Sequence, residues 1–294
     1  MIFGTVIDNK LELRDFLAQS LRTGVSKFGH ELLQFEKERF DEVVLEQKMI
    51  DVLVVIGVMG YSSEKLDQVK EAGVTILYID KGYIRIGDPD YEKSKCKYYR
   101  FAINDNQPHD YFLNKQMPGD RWDALNIPIL PMKKYKQGSV IFAGSSQKYC
   151  NYQNLGDANE YAKQVFRKVR KFSKRDNELV YRPKPSWKGA ERIEGTFFCG
   201  PNYKLFTYFK QKTHCVISHG SNANLEALIA GIPSFVLGNG IVRSLSRTSL
   251  GDIDRAHYPD EQKRYELFSN IAYHQYSVDE ILNGSFWEFL KDFL

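Results

Sequence analysis

Seven short apolar runs, most of them rich in β-branched residues, recur along the chain: IFGTVID (2–8), DVLVVIG (51–57), VTILYID (74–80), SVIFAG (139–144), ELVYRP (178–183), HCVISH (214–219) and PSFVLG (233–238). Each is only six or seven residues long, and most lack the apolar–polar alternation of a strand with one wet face. Runs of this kind are buried on both sides, as in parallel sheets covered by helices. Helical periodicity stands between most of them, near 10–22, 30–48, 61–72, 157–173, 202–211 and 222–230, with two more stretches at 261–275 and 284–293. The fold class this predicts is α/β, with helices layered on parallel sheets.

The runs fall into two series. Between them lies an irregular section from Asp80 to Tyr135, closed by NIPILPMKKYKQG, whose prolines, basic residues and terminal glycine read as a linker. With 294 residues there is room for two domains. The expected division is an N-terminal Rossmann-like domain over 1–133, a C-terminal one over 134–276, and a terminal helix over 277–294. Two such sheets in tandem would face a cleft, and ligands bind open sheets outside the carboxyl ends of their strands.

Three of those strand ends in the second series carry the chemistry. The run 139–144 ends in Gly144, Ser145 and Ser146; the run 178–183 ends in YRPKP, with Arg182 and Lys184. The run 214–219 ends in His219, Gly220, Ser221 and Asn222 and opens a helix carrying Glu226 one turn on. In a parallel sheet these ends share one edge. Two cations, hydroxyls and the N–H groups of a helix start would meet there, the donor set that a phosphate ester or diphosphate requires. Glu226 is placed to accept from a ribose hydroxyl. Each residue has a plainer role as cap, turn or surface residue; the joint placement argues for the anion site.

Other classes are disfavoured. No GxxxxGK[ST], HExxH or GxSxG is present, and the first strand lacks GxGxxG. Asp88 and Asp90 in DPD, and Asp252 and Asp254 in DID, are the carboxylate pairs with metal-holding spacing; the pattern is common, and no metal is expected. Cys96, Cys150, Cys199 and Cys215 lie far apart, without CxxC spacing, which argues against zinc and against a disulfide framework. The start MIFGTVID lacks a basic, apolar leader, and no run approaches a membrane span, so a cytoplasmic protein is expected.

A net charge of +4 is too small to imply nucleic acid by itself, but its distribution is uneven. KQVFRKVRKFSKR (163–175) holds seven cations and no acid. Lys163, Arg167, Arg170, Lys171 and Lys174 form a stripe that is either a solvated helix face or a contact for a phosphate backbone. The aromatics of 95–112 can stack bases or sugars, or simply pack.

With these residues in place, the chain resembles glycosyltransferases of the GT-B class. SHGSNANLEALIAGIP is similar to their donor-domain segment, a small polar turn before a helix reading EAL-x-x-G-x-P, and YRPKP resembles the basic strand end of related enzymes. YYRFAIND, DRW, YRPKP and YHQYSVDEILNGSFW are similar to small bacteriophage-encoded members, some of which modify hydroxymethylated pyrimidines in DNA. The resemblance implies two Rossmann-like domains facing a cleft, with the tail helix crossing back to the first. It implies metal-independent transfer from a nucleotide-sugar, a UDP-sugar first, to a hydroxyl of phage DNA in the host cytoplasm, with no cofactor, membrane or obligate protein partner. Asp80 is the expected base, with Asp8 second. A surface or capsular glycan as acceptor, a sugar-nucleotide epimerase and a non-catalytic nucleic-acid-binding protein are the alternatives.

Overall fold

A computed structural model describes residues 1–7, 12–57, 61–86, 97–107, 115–200 and 205–291. The chain forms two compact units, one of residues 1–108 and 273–294, the other of residues 109–272. Both are α/β, and both are Rossmann-like.

The first unit holds a six-stranded sheet. Its strands are β1 (Ile2–Val6), β2 (Glu31–Phe35), β3 (Val52–Ile56), β4 (Thr75–Lys81), β5 (Tyr98–Ile103) and, from the far end of the chain, β11 (Gln275–Ser277). The order is β11-β5-β4-β3-β1-β2. Strands β1 to β4 run parallel, whereas β5 and β11 are each antiparallel to their neighbour. The purely parallel sheet expected from the apolar runs is therefore corrected at this edge. YYRFAI carries Arg100 among its apolar residues and lies in the section read as irregular, and QYS is too short to register as a strand at all.

A second correction concerns residues 30–48, which the 3.6-residue spacing assigned to a helix. Gly29 adopts φ +74, in the left-handed region, and the chain turns there into β2, paired with β1 from Ile2↔Glu31 to Val6↔Phe35. Helical structure follows only as a 3-10 turn at Lys37–Arg39 and a single wide π turn at Asp41–Glu46. The apolar residues Leu32, Phe35, Phe40, Val43 and Val44 are buried in either geometry, so burial pattern alone cannot separate the two.

The last residues join this unit by strand pairing, Gln275 with Arg100 and Ser277 with Tyr98. The helix Val278–Asn283 opens with a complete capping box, Ser277 and Glu280 bonding each other's backbone N–H. It packs against the helix Glu12–Ser26, where a Cβ on Gly24 would stand 2.2 Å from Ile281 O. Phe28 and Trp287 stack at 5.0 Å.

The second unit holds five parallel strands: β6 (Ser139–Ala143), β7 (Leu179–Arg182), β8 (Phe197–Phe198), β9 (Thr213–Ser218) and β10 (Ser234–Val236). Their order is β10-β9-β6-β7-β8. The chain starts in the middle, runs outward to β8, then crosses back to β9 and β10. That is the doubly wound pattern, and its direction reverses between β6 and β9. Apolar side chains cover both faces. On one, Phe142, Phe166 and Tyr181 pack with the helix Ala158–Phe172; on the other, Ile141, Val180 and Val216 meet Ala223 and Ala227. Each fully buried large side chain of this kind stabilises by about 1.5–3 kcal/mol relative to exposure.

The stretch read as a linker is bound to this unit. Leu130 N–H donates to Ile229 O at 2.9 Å and Lys133 N–H to Gly231 O at 2.7 Å. Arg264, 1 % exposed, donates from Nη1 to both Leu130 O and Leu228 O at 2.8 Å. Gly231 serves twice: it adopts φ +73, and any Cβ there would stand 2.1 Å from Pro131 O. Among the described residues no helix is long and apolar enough to cross a membrane.

Candidate functional site at the carboxyl edge of the second sheet

The reversal between β6 and β9 puts the residues after Ala143 beside those after Ser218, with β7 and β10 flanking them. Ligands of doubly wound sheets bind at this switch point. The sequence-derived strand ends are thus brought to one edge in the order Arg182, Gly144–Ser146, His219–Asn222. Gly144 N–H donates to Arg182 O at 2.9 Å, which joins the first two directly.

Arg182 is half-buried at the end of β7. Among the described residues its guanidinium makes no hydrogen bond and no ion pair, and its Nε is sealed from solvent without an acceptor. Beside it in the chain, the fully buried Tyr181 hydroxyl has no hydrogen-bond partner among the described residues. Burial pushes that phenol well above its ordinary range, so it stays a neutral donor. Gly144 is where the two meet: a Cβ there would press on the Tyr181 ring at 2.8 Å. Orphaned buried donors cost about 1–3 kcal/mol each, and such groups concentrate where a ligand completes them. Lys184 is exposed in the following turn, its carbonyl accepting from Trp187 N–H at 2.9 Å. Ser145 and Ser146 are half-buried, and Ser146 starts the helix Gln147–Tyr152.

The turn at 219–222 differs from the expectation. The N–H groups at this helix start were read as free donors for a phosphate, yet the chain itself uses those of Ser221, Ala223 and Asn224. Ser221 N–H donates to Ser218 Oγ at 2.8 Å, Ala223 N–H to Ser221 Oγ at 3.2 Å and Asn224 N–H to Ser221 O at 3.1 Å. The helix that follows is short, Ala223–Ile229, and its cap residue Asn222 is buried without a side-chain cap bond. Glu226 lies half-buried one turn along it, its N–H bonded to Asn222 O at 3.0 Å.

Asn224, which composition did not single out, holds this edge together. At 0 % exposure it accepts from Ser218 Oγ and donates to Ser234 Oγ at 2.7 Å and to Val216 O and Phe235 O at 3.2 Å. Ser246 Oγ extends the chain of bonds to Ser234 at 3.0 Å. Asn224, with Ser218 and Ser234, is thus a buried clamp between β9, the helix and β10. The sequence signal for it was the surplus of polar residues itself, more than one cap requires.

His219 is likewise a packing residue. It is 8 % exposed, bonds Tyr161 Oη through Nδ1 at 2.8 Å, and meets the Tyr149 and Tyr161 rings edge-on. Its Nε2 would stand 2.2 Å from a Cβ on Gly238, so only glycine fits there. Burial first, then the charge of Arg243, hold the imidazole below its ordinary value and keep it neutral at pH 7. Arg243 and Gly238–Gly240, which the sequence reading missed, lie beyond β10 at this same edge.

The expected base lies in the first unit. Asp80, the sixth residue of β4, is 41 % exposed; it accepts from Lys81 N–H at 2.7 Å and from Arg100 at 3.3 Å. Asp8, and the pair Asp88 and Asp90, lie outside the described residues. In the second DID pair, Asp252 binds Arg255 at 2.6 Å while Asp254 accepts from Ser173 Oγ and Lys174 N–H, both at 2.7 Å. Among the described residues no cluster of three potential metal ligands occurs.

Part of the basic stripe is answered by acids: two of its five residues, Lys163 and Arg167, have carboxylate partners. Lys163 reaches Glu160 at 2.7 Å and Glu191 at 3.9 Å, Arg167 reaches Glu160 at 3.6 Å, and Arg170 donates to Glu194 O at 2.5 Å. Lys171 lies over the Phe172 ring, and Lys174 is exposed. The window 163–175 contains no acid, but the fold brings several to it, and the field it presents is reduced. A cavity of about 640 Å³ opens near this helix, lined by Arg170, Arg175, Asp176 and Glu178. It lies at the amino end of β7, opposite Arg182, where doubly wound sheets do not bind their ligands.

No family model and no curated protein matches this sequence. Solved structures do. The β-Kdo 2,4 transferase of KpsC from Thermosulfurimonas dismutans superposes with a TM-score of 0.58 at 9 % identity, over 95 % of this chain and 97 % of that one. The β-Kdo 2,7 transferase of the same KpsC gives 0.56 at 14 % identity, over 98 % and 100 %. At these identities the likeness establishes the fold, two Rossmann-like units in one chain.

Proposed function

We propose that the chain is a nucleotide-sugar-dependent glycosyltransferase of the GT-B class, with the nucleotide phosphate held at the β6–β9 switch point. The observation that carries this reading is Arg182: a half-buried guanidinium with no counter-ion or hydrogen bond among the described residues, at the edge where this topology binds ligands. The fold shared with two sugar transferases supports it.

In this reading the departing phosphate develops charge as the glycosidic bond breaks. Arg182 and Lys184 stabilise that charge electrostatically without a metal. Ser145, Ser146, Ser221, Asn222 and Glu226 line the ribose and phosphate, while His219 and Asn224 hold the edge in shape. If the anomeric centre inverts, a carboxylate must take the acceptor proton, and Asp80 is retained for that role. The acceptor we favour is a glycan hydroxyl, because the structural relatives are Kdo transferases and the stripe that argued for DNA is partly paired.

The test is a thermal-shift titration with UDP, TDP, CMP and their sugars on the wild type and Arg182→Ala. A ligand at 100 times its dissociation constant stabilises by about 2.7 kcal/mol. A shift with one nucleotide family, lost in Arg182→Ala, supports the site. No shift with any of them sinks the reading. Product analysis with glycan and hydroxymethylated DNA acceptors then separates the two; isomerised donor formed without acceptor would make the chain an epimerase.

A further inference from the structure

We propose that Arg243 is a second anion contact of this nucleotide site, facing Arg182 across the switch point. The inference rests on the nucleotide reading above. Its starting point is a shortage: at the turn 221–224 the N–H groups of Ser221, Ala223 and Asn224 go to Ser218 and Ser221, so that turn leaves a phosphate few donors.

The strand beyond the turn supplies a replacement. After β10 the segment Gly238-Asn239-Gly240 crosses Gly220 so closely that a Cβ on Gly220 would stand 2.0 Å from Asn239 O, and one on Gly240 3.2 Å from Gly220 Cα. Bulkier residues would lift this segment off the edge. Its course brings Arg243 back toward the edge, with Arg243 N–H donating to Gly240 O at 2.9 Å and Nη1 donating to Gly238 O. The side chain is half-buried, and among the described residues its guanidinium makes no other hydrogen bond and no ion pair. One anchored nitrogen fixes the guanidinium plane and leaves the other N–H groups to a ligand.

Topology then places the two arginines. Arg182 ends β7 and Arg243 follows β10, on opposite sides of the β6 and β9 ends. At roughly 4.8 Å per strand the ends of β7 and β10 are about 14 Å apart, a span that side chains from both flanks can cover around a phosphate group. Elsewhere in this unit Arg167 meets Glu160, Arg175 meets Asp254 and Arg255 meets Asp252, while Arg170 and Arg247 each bond a backbone carbonyl. The ligand class this selects is a nucleotide bound through its phosphate from both flanks.

The experiment is a binding titration of UDP, CMP and inorganic pyrophosphate against wild type, Arg182→Ala, Arg243→Ala and Arg243→Gln. Glutamine keeps a donor for Gly238 O without the charge, and stands in if the alanine variant fails to fold. A charged hydrogen bond to phosphate is worth about 1.5–3 kcal/mol, so loss of Arg243 is expected to weaken nucleotide binding about 10- to 100-fold. Wild-type affinity in both Arg243 variants, with Arg182→Ala still weakened, overturns the inference and leaves the nucleotide reading standing. No binding by the wild type overturns the nucleotide reading, and this inference with it.

Discussion

The two edges of the second sheet treat their arginines in opposite ways. At the amino edge, Arg175 lies 3.9 Å from Asp254, whose other bonds come from Ser173 and Lys174. At the carboxyl edge, Arg182 and Arg243 have no carboxylate among the described residues, while the neutral groups around them are densely bonded. A chain that pairs cations on one edge has the means to pair them on the other. Half-buried arginines left open over a stiff, neutral frame are organised for an anion that comes from outside.

The contrast can be broken at its frame. Asn224→Leu keeps the volume but strands Ser218, Ser234 and two backbone carbonyls. It is expected to destabilise by about 3 kcal/mol, since each unsatisfied buried group costs about 1–3 kcal/mol and some will find new partners. Denaturant unfolding reads this directly, and a loss under 1 kcal/mol would show that the clamp is not what holds the edge.

Exchanging the edges is the next test. Arg182→Ala should abolish a nucleotide shift of about 2.7 kcal/mol, with unliganded stability unchanged or improved because an unpaired half-buried charge is removed. Arg175→Ala should do the reverse: keep the nucleotide shift and lose at most about 1 kcal/mol of stability, the scale of a partly exposed ion pair. Equal nucleotide responses in the two variants would erase the distinction between the edges.

The smallest effects are on pH. Burial works to raise the Asp254 carboxyl, but the bonds from Lys174 and Ser173, and then Arg175, outweigh it and hold it below its ordinary value. Its contribution is therefore present above the unfolded value of about 3.9 and is lost as pH falls through the lower folded value. The melting-temperature gap between wild type and Asp254→Asn should shrink on acidification. His219 is also lowered, by burial and then by Arg243, so below about pH 6.5 the unfolded chain takes up a proton that the folded one resists. Stability should fall from pH 7 to 5, less steeply in His219→Gln; an equal slope would place the titration elsewhere.

The placement of the candidate site's residues on one edge was legible in the sequence. Arg182, Gly144 and His219 all ended apolar runs, and in a parallel sheet run ends share an edge by construction. What the runs could not carry was side-chain bonding. Ser221 and Asn224 look alike as small polar residues near a helix start, yet one lies exposed and the other is fully buried under four bonds. Arg243 sits in no run and in no motif. Only the path of Gly238–Gly240 over Gly220 brings it to the edge.

By itself the sequence determined the α/β class, the two series of strands and the carboxyl edge that collects their ends, because burial on both faces demands continuous apolar runs and the connections between them fit helices. Tertiary structure decided whatever depends on residues distant in the chain. It turned 31–35 from helix to strand by pairing with β1, and added β5 and β11 as antiparallel edges. It brought Glu191 and Asp254 to a segment that reads as uniformly basic, and among the described residues left Arg182 with no carboxylate. Hydrogen bonds and ion pairs act over a few ångströms, and which groups come that close is set by the fold rather than by spacing along the chain.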